Sequence, residues 1–247
     1  MTDSDRTWGT PPPDLRLSGE QVHVWRASLE QPAAVVCRLA QTLCGDELDR
    51  ESRFRLEHDR RRFIVGRGIL RILLGRHLDV ESQRVRLQVG PRGKPHLSGS
   101  FGPGAPRFNL AHTQALALYA FVAGREVGID AEYIRPVPDA AEIAARSFSA
   151  RENAALLRLP DDQRQEAVFR CWTRKEAFIK AIGDGLAHPL AGFDVTLTPD
   201  EPPLLSIEGD PEKAARWSLE AFVPATAYLA ALAVEGPDWH SVFWQYR

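Results

Sequence analysis

Cysteine is scarce in this chain, and the three present, Cys37, Cys44 and Cys171, form no C-x-x-C pair. An odd count without metal-ligand spacing argues against a disulfide framework or a cysteine metal site. It reads as free thiols in a reducing compartment. Long apolar runs are missing as well, since none approaches the ~20 residues that span a bilayer. The first residues carry Asp3, Asp5 and the run Pro11-Pro12-Pro13 instead of a charged start followed by an apolar stretch. Neither a signal peptide nor a membrane anchor is expected, and a cytoplasmic location follows. A surplus of one charge is absent too. The 247 residues carry a formal charge of −2, which speaks against a protein built to coat nucleic acid. What is there is the composition of an ordinary globular protein, 44% apolar and 26% charged. The length suits one large domain or two small ones. Within this near-neutral whole, residues 50–76 are strongly basic, the pattern of a discrete anionic ligand.

Residues 1–18 are polar and proline-rich and read as a loose N-terminal arm. Val22 and Val24 alternate with polar neighbours, so residues 21–27 read as a strand. Asp46 after Gly45 is expected to cap a first helix reaching Glu57. A second helix is expected over residues 59–77, with Phe63, Ile69, Leu70, Leu73 and Leu74 at helical spacing. Residues 85–89 alternate again as a strand, then 90–95 and 98–106 are rich in glycine and proline. Residues 115–122 read as a buried strand, Gly124-Arg125 as a turn, and 127–132 as its hairpin partner. Helices are expected over 142–148, 150–157 and 163–182, the last closed by Gly183. Residues 193–197, 217–222 and 228–234 read as further strands. The helix segments 62–75 and 171–183 share a rhythm and each ends in a glycine-containing turn, a sign of internal duplication with a boundary near 123–127.

Four places carry chemistry. In Val127-Gly128-Ile129-Asp130-Ala131-Glu132, strand alternation points Asp130 and Glu132 the same way. Two such carboxylates repel unless a cation lies between them or one stays protonated. They could also mark a strand end whose acids face water. In the segment from Trp172 to Gly183, Trp172, Glu176 and Lys180 lie along one helix face. Glu176 and Lys180 form either a weak surface ion pair or a third carboxylate for a metal with a phosphate contact beside it; Trp172 argues that this face is not plain solvent. Arg62 shares an apolar helix face with Gly66, Ile69 and Leu73. There it either snorkels to the rim or anchors an anion through its planar fork. Arg53 and Lys94 could join the same anion site. Nucleic acid is the other reading of these arginines, disfavoured by the missing recognition motif. His112, in Phe108-Asn109-Leu110-Ala111-His112-Thr113, stands where a ligand could reach it.

These segments resemble the 4′-phosphopantetheinyl transferases. Gly128-Ile129-Asp130-Ala131-Glu132, followed some forty residues later by the run from Trp172 through Lys175, Glu176, Lys180 and Gly183 to Leu186, is similar to the two signatures of that family. Gly93-Lys94-Pro95 and the segment 108–113 resemble its upstream motifs. Order and spacing match the broad-specificity branch that activates polyketide and nonribosomal peptide synthetases, and the resemblance covers roughly residues 50–197. It implies an α+β fold of two similar subdomains with pseudo-twofold symmetry, residues 19–125 and 126–247, and an active site in the cleft between them. It implies Mg²⁺, coenzyme A as substrate, apo-acyl or peptidyl carrier proteins as partners, and a monomer. By position, Asp130, Glu132 and Glu176 match metal ligands, and Lys180 a lysine near the pyrophosphate. Arg53, Arg62, Lys94 and His112 match positions holding coenzyme A, its 3′-phosphate in particular. Thr113 lies where the family contacts the nucleotide, and Glu152 matches an acid placed to help the incoming hydroxyl. Ala111 departs from a usual serine, and Glu47 stands where some members carry a lysine toward the nucleotide.

The chemistry this implies is attack of a carrier serine on the β-phosphorus of coenzyme A with departure of 3′,5′-ADP. Lys180 would stabilise the leaving phosphate and Glu176 would accept the serine proton. The carrier is expected to dock on Arg146, Arg151, Arg158 and Arg164, interspersed with Phe148, Leu156 and Leu157. Two rivals share these residues: another Mg²⁺-dependent phosphoryl-transfer enzyme, and a coenzyme A-binding homologue without activity. The intact Asp130, Glu132, Glu176 and Lys180 speak against the second.

Overall fold

The structure is a computed structural model that describes residues 6–102, 104–185, 188–198, 203–207 and 210–247. Residues 1–5 of the arm, Pro103 and Leu186 lie outside them. In chain order the elements are β1 (Gln21–Ser28), α1 (Ala33–Ala40), α2 (Gly45–Glu51), α3 (Glu57–Leu78), β2 (Leu87–Val89), β3 (Pro95–Leu97), β4 (Arg107–Thr113), β5 (Leu116–Val122), β6 (Val127–Tyr133), α4 (Ala140–Ser147), α5 (Ala150–Arg158), α6 (Asp161–Ile182), β7 (Phe193–Val195), β8 (Leu204–Ile207), α7 (Pro211–Ala214), β9 (Trp217–Phe222), β10 (Tyr228–Glu235) and β11 (His240–Gln245). None of the described helices is long and apolar enough to cross a membrane.

Two sheets lie between two long helices, an α+β arrangement in four layers. The first sheet has the order β11-β1-β5-β4 and the second β6-β10-β9. Strand alternation explains the layering. Trp25, Ala27, Tyr119 and Phe121 of the first sheet join Ile69, Leu70, Leu73 and Leu74 of α3 in one core. The intervening Val22, Val24, Leu118 and Ala120 pack with Val127, Ile129 and Leu232 of the second sheet. The far face of that sheet, Ala231 and Ala233, meets Ala177, Phe178 and Ala181 of α6. Both faces of β5 are therefore covered, and all seven of its residues are buried. Each half contributes a helix of 22 residues to an outer layer.

Several expectations change. Residues 116–122 and 127–133 are not a hairpin. β5 is flanked by β1 and β4, so both its edges are taken, and the turn at Gly124 (φ 68°) passes the chain into the other sheet, where β6 pairs with β10. The helix expected from Asp46 is capped by Cys44, whose N–H donates to Glu47 Oε2 at 3.2 Å. α3 matches the helix expected over 59–77 to within two residues, but no glycine closes it. It runs on to Leu78 and closes on Asp79 in the left-handed region, while Gly75 is needed inside because a Cβ there would lie 2.7 Å from the Val80 carbonyl. The arm is not loose over its described part. Arg6 pairs with Glu220, Trp8 meets Phe243 edge-on at 5.0 Å, Leu15 is buried, and Gly9 bridges β11 by hydrogen bonds of 2.9 and 3.0 Å. The arm's apolar side chains outweigh its prolines. α1 was not expected from the sequence; it is held by burial of Val36 and Leu39.

Candidate active site

Gly128 sets how closely α6 approaches β6. A Cβ at this position would fall 2.1 Å from the Ala177 carbonyl and 2.3 Å from the Ala181 nitrogen. The helix backbone thus rests directly on the strand, which brings the motif on α6 against the carboxylates of β6. Along β6, Val127, Ile129 and Ala131 turn into the inter-sheet core, leaving Asp130 and Glu132 on the side of α6. Lys180 reaches across and donates to Asp130 Oδ1 at 2.6 Å. The partner of Lys180 is therefore Asp130 and not Glu176, the surface pair the helical spacing allowed.

Among the described residues, two buried carboxylate oxygens have no hydrogen-bond partner, Asp130 Oδ2 and Glu176 Oε1. Burial raises the Asp130 pKa, opposed by Lys180. Burial and then Asp130 raise that of Glu176. Glu132 is pushed up to about 7 by burial, then by Asp130, with Glu176 adding a smaller push. Three carboxylates that repel one another around one ammonium form a site short of positive charge. Among the described residues no three His, Cys, Asp or Glu side chains already stand gathered in a ligating cluster. The hard oxygen donors and the two unpartnered oxygens nonetheless fit a divalent cation.

Beside this site lie two cavities that share Leu110. One, of about 480 Å³, is lined by Lys94, Asn109, Glu176 and Lys180 among others. The other, of about 360 Å³, is lined by Arg50, Arg62, Phe63, Arg67, His112 and Thr113. β4 carries both walls. Asn109 is anchored inward by accepting from the Ile129 N–H at 2.9 Å, while His112 opens into the second cavity. The protein around its other sides lowers the His112 pKa, and Lys180, Arg67 and Arg50 lower it further. One imidazole therefore lies within the field of both the arginine cavity and the lysine of the carboxylate site.

The structure brings Arg62, His112 and Thr113 together and leaves Arg53 and Lys94 out of that cavity. Arg53 is exposed on the surface. Lys94 donates to the carbonyls of Val127 and Ala181 at 3.2 and 3.0 Å and pairs with Glu126 at 3.3 Å, tying its loop to β6 and α6. Arg50 and Arg67, not singled out from the sequence, take part instead. Their guanidinium groups lie 5.3 and 5.9 Å from the centre of the Phe63 ring. The signal was present, since Arg67 lies four residues after Phe63 inside the basic stretch. Glu47 turns inward to an ion pair with buried Arg71 at 2.5 Å and does not face a ligand.

Glu152 is a correction. It is 1% exposed, and its oxygens accept from the N–H groups of Ser149 and Val195 at 2.8 Å each and pair with buried Lys175 at 2.8 Å. Such a carboxylate joins α5 to β7 and α6 and has no path to an incoming hydroxyl. The expected docking mixture also divides. Phe148 and Leu156 are core residues, whereas Leu157 is exposed. Arg164 donates to the carbonyls of Leu157 and Leu159 at 3.0 Å.

An α+β scaffold with an arginine cavity joined to a buried carboxylate site defines an enzyme for a phosphate-bearing substrate. Two family models divide the chain between them: "4′-phosphopantetheinyl transferase, N-terminal" over residues 24–125 and the 4′-phosphopantetheinyl transferase superfamily over residues 126–233. The 4′-phosphopantetheinyl transferase HetI of Nostoc sp. is 45% identical over 240 residues, which are 97% of this chain and 98% of that protein. The 4′-phosphopantetheinyl transferase Sfp of Bacillus subtilis is 30% identical over 165 residues, 66% of this chain and 70% of that protein. The holo-[acyl-carrier-protein] synthase structure of Thermotoga maritima aligns over 45% of this chain and 62% of that one, with a TM-score of 0.36 and 24% identity. The chain belongs to the 4′-phosphopantetheinyl transferase family. It transfers the 4′-phosphopantetheine group of coenzyme A to carrier proteins.

Proposed function

We propose that the arginine cavity takes the 3′-phosphate of coenzyme A and that the adjoining cavity directs the pyrophosphate toward Lys180. Asp130, Glu132 and Glu176 would hold Mg²⁺. The observation that carries this reading is buried Asp130, with one oxygen on Lys180 and the other without a partner. A bound Mg²⁺ screens the charge of the pyrophosphate and orients it for in-line attack. Arg62, Arg67 and Arg50 bind the 3′-phosphate through planar forks, with His112 beside them. Lys180 supplies positive charge where the leaving phosphate gains negative charge. Glu176 accepts the proton of the attacking serine directly or through water.

We take the carriers to be acyl and peptidyl carrier domains of polyketide and nonribosomal peptide synthetases, met by a cytoplasmic monomer. The test is incubation of the protein with coenzyme A, Mg²⁺ and a purified apo-carrier, read by intact mass. Wild type adds the phosphopantetheine mass to the carrier serine, and omission of Mg²⁺ stops it. Asp130→Ala loses transfer while its melting temperature stays near that of wild type. Full activity in that variant would remove Asp130 from the mechanism.

A further inference from the structure

The arginine cavity is not open on all sides to an incoming anion. Glu30, in the loop between β1 and α1, stands at its edge directly after Leu29, which lines it. Glu30 Oε1 accepts from both Nε and Nη2 of Arg62, at 2.9 and 2.7 Å. Arg62 thus spends two of its donors on a carboxylate of this chain. The loop holds Glu30 in place from several directions. Its N–H donates to Ser28 Oγ at 3.2 Å, and that hydroxyl donates back to the Glu30 carbonyl at 3.2 Å. Gln31 donates to the Ser28 carbonyl at 2.9 Å, and Arg61 of α3 donates to the Gln31 carbonyl at 2.9 Å. Neighbouring Arg61 and Arg62 therefore grip one loop, Arg61 by its backbone and Arg62 by its carboxylate. No ion pair engages Arg50 or Arg67 among the described residues, so Arg62 alone of these three arginines carries an internal counter-ion.

We propose that Glu30 is a specificity-determining latch: its carboxylate substitutes for the ligand's phosphate on Arg62, so that coenzyme A must displace it, and a weaker anion cannot. This rests on the reading of the cavity as the 3′-phosphate site. Displacement is feasible because Glu30 is 63% exposed on its side chain, and an exposed pair of this kind is weak. The phosphate competes well because it brings more than one negative charge and three acceptor oxygens to a fork built for bidentate contact. It also gains Arg50 and Arg67, which Glu30 does not engage. A ligand with a single negative charge at this position meets the repulsion of Glu30 without an adequate return, and one with no charge there leaves the Glu30–Arg62 pair in place. The latch thus lowers affinity for every anion and lowers it most, in proportion, for those that cannot recruit all three arginines.

The test measures binding of coenzyme A and 3′-dephospho-coenzyme A by calorimetry without Mg²⁺ or carrier, and KM for both in the transfer assay. Glu30→Gln is expected to tighten coenzyme A about two- to fivefold, the strength typical of an exposed ion pair. The gain is expected to shrink with added salt and to be absent in an Arg62→Ala background. Glu30→Gln that binds coenzyme A no tighter than wild type, or gains as much when Arg62 is Ala, overturns the latch while leaving the phosphate site standing. If Arg62→Ala discriminates coenzyme A from its 3′-dephospho form as wild type does, the phosphate site itself fails and the latch with it.

Discussion

Arg67 sits on the inner side of α3 with no carboxylate in ion-pair range among the described residues, and burial, then Glu47 against it and Arg50 with it, set its charge balance so that its pKa falls below the ordinary value. A guanidinium kept partly out of water without a partner costs stability, which an incoming phosphate restores. Arg67→Ala is therefore expected to raise KM for coenzyme A roughly tenfold or more, the worth of one charge-assisted contact. KM for the 3′-dephospho form should rise far less, and equal losses with both substrates would assign Arg67 a purely structural role. At this scale the sequence was readable wherever an odd residue type stood in a pattern. Arg62 on an apolar face and two acids two apart on a strand picked out positions that lie at the edge of the arginine cavity and against α6. Glu152 was misplaced, and the contacts of Lys94, which does line the adjoining cavity, went unforeseen for a physical reason. Both are charged residues whose partners, Lys175 and the Ala181 carbonyl, come from distant turns of α6 that no local pattern reveals.

Among the elements, β6 and α6 depend on each other through a missing side chain. Because a methyl group at position 128 would meet helix backbone on two sides, Gly128→Ala cannot be absorbed by a rotamer change. It must move α6 away from β6 or displace the strand. The expected outcome is a loss of ~1–3 kcal/mol of stability or more, as for overpacking, and loss of transfer well beyond the fraction unfolded, because Glu176 and Lys180 ride on the displaced helix. Denaturant unfolding and kcat on the folded fraction separate the two effects. A variant of wild-type stability and activity would show that the close approach is unnecessary. The existence and kind of the long elements were legible, since α3, α6 and β5 announce themselves by period and composition. Pairing was not. The run from Leu116 to Tyr133 has the look of a hairpin, yet a local turn signal does not tell whether the next strand returns to its predecessor or enters another sheet. That choice was made by β1 and β4, which already occupy both edges of β5.

The whole molecule carries an acid-sensitive point in its first core. His23 and His77 face one another with ring centres 5.4 Å apart, and His77 lies against Phe121 at 4.7 Å. Burial depresses their pKa values to about 4 and about 3. Folded values lie below the unfolded value of 6.5, so above pH 6.5 the pair leaves stability unchanged. As pH falls from 6.5 toward 4 and 3, the unfolded chain takes up protons that the folded one refuses, and stability declines by about 1.4 kcal/mol per pH unit for each histidine. Unfolding free energies measured from pH 8 to pH 4 should show this slope, and His77→Leu should remove about half of it. An unchanged slope in that variant would place the acid sensitivity elsewhere.

The parallel pairing of β1 with β11 has a consequence for the making of the protein. Arg26 and Gln245, joined across that pair, stand 219 positions apart. A ribosome delivers β1 early and its outer neighbour very late, so throughout synthesis one edge of β1 is left as an open template. The nascent first half can gather its helices and its other strands, but it cannot close. Contacts this distant in the chain slow folding, and a chaperone that shields strand edges would have its longest task here, until residues 240–245 emerge and the segment around Gly9 lies down over them.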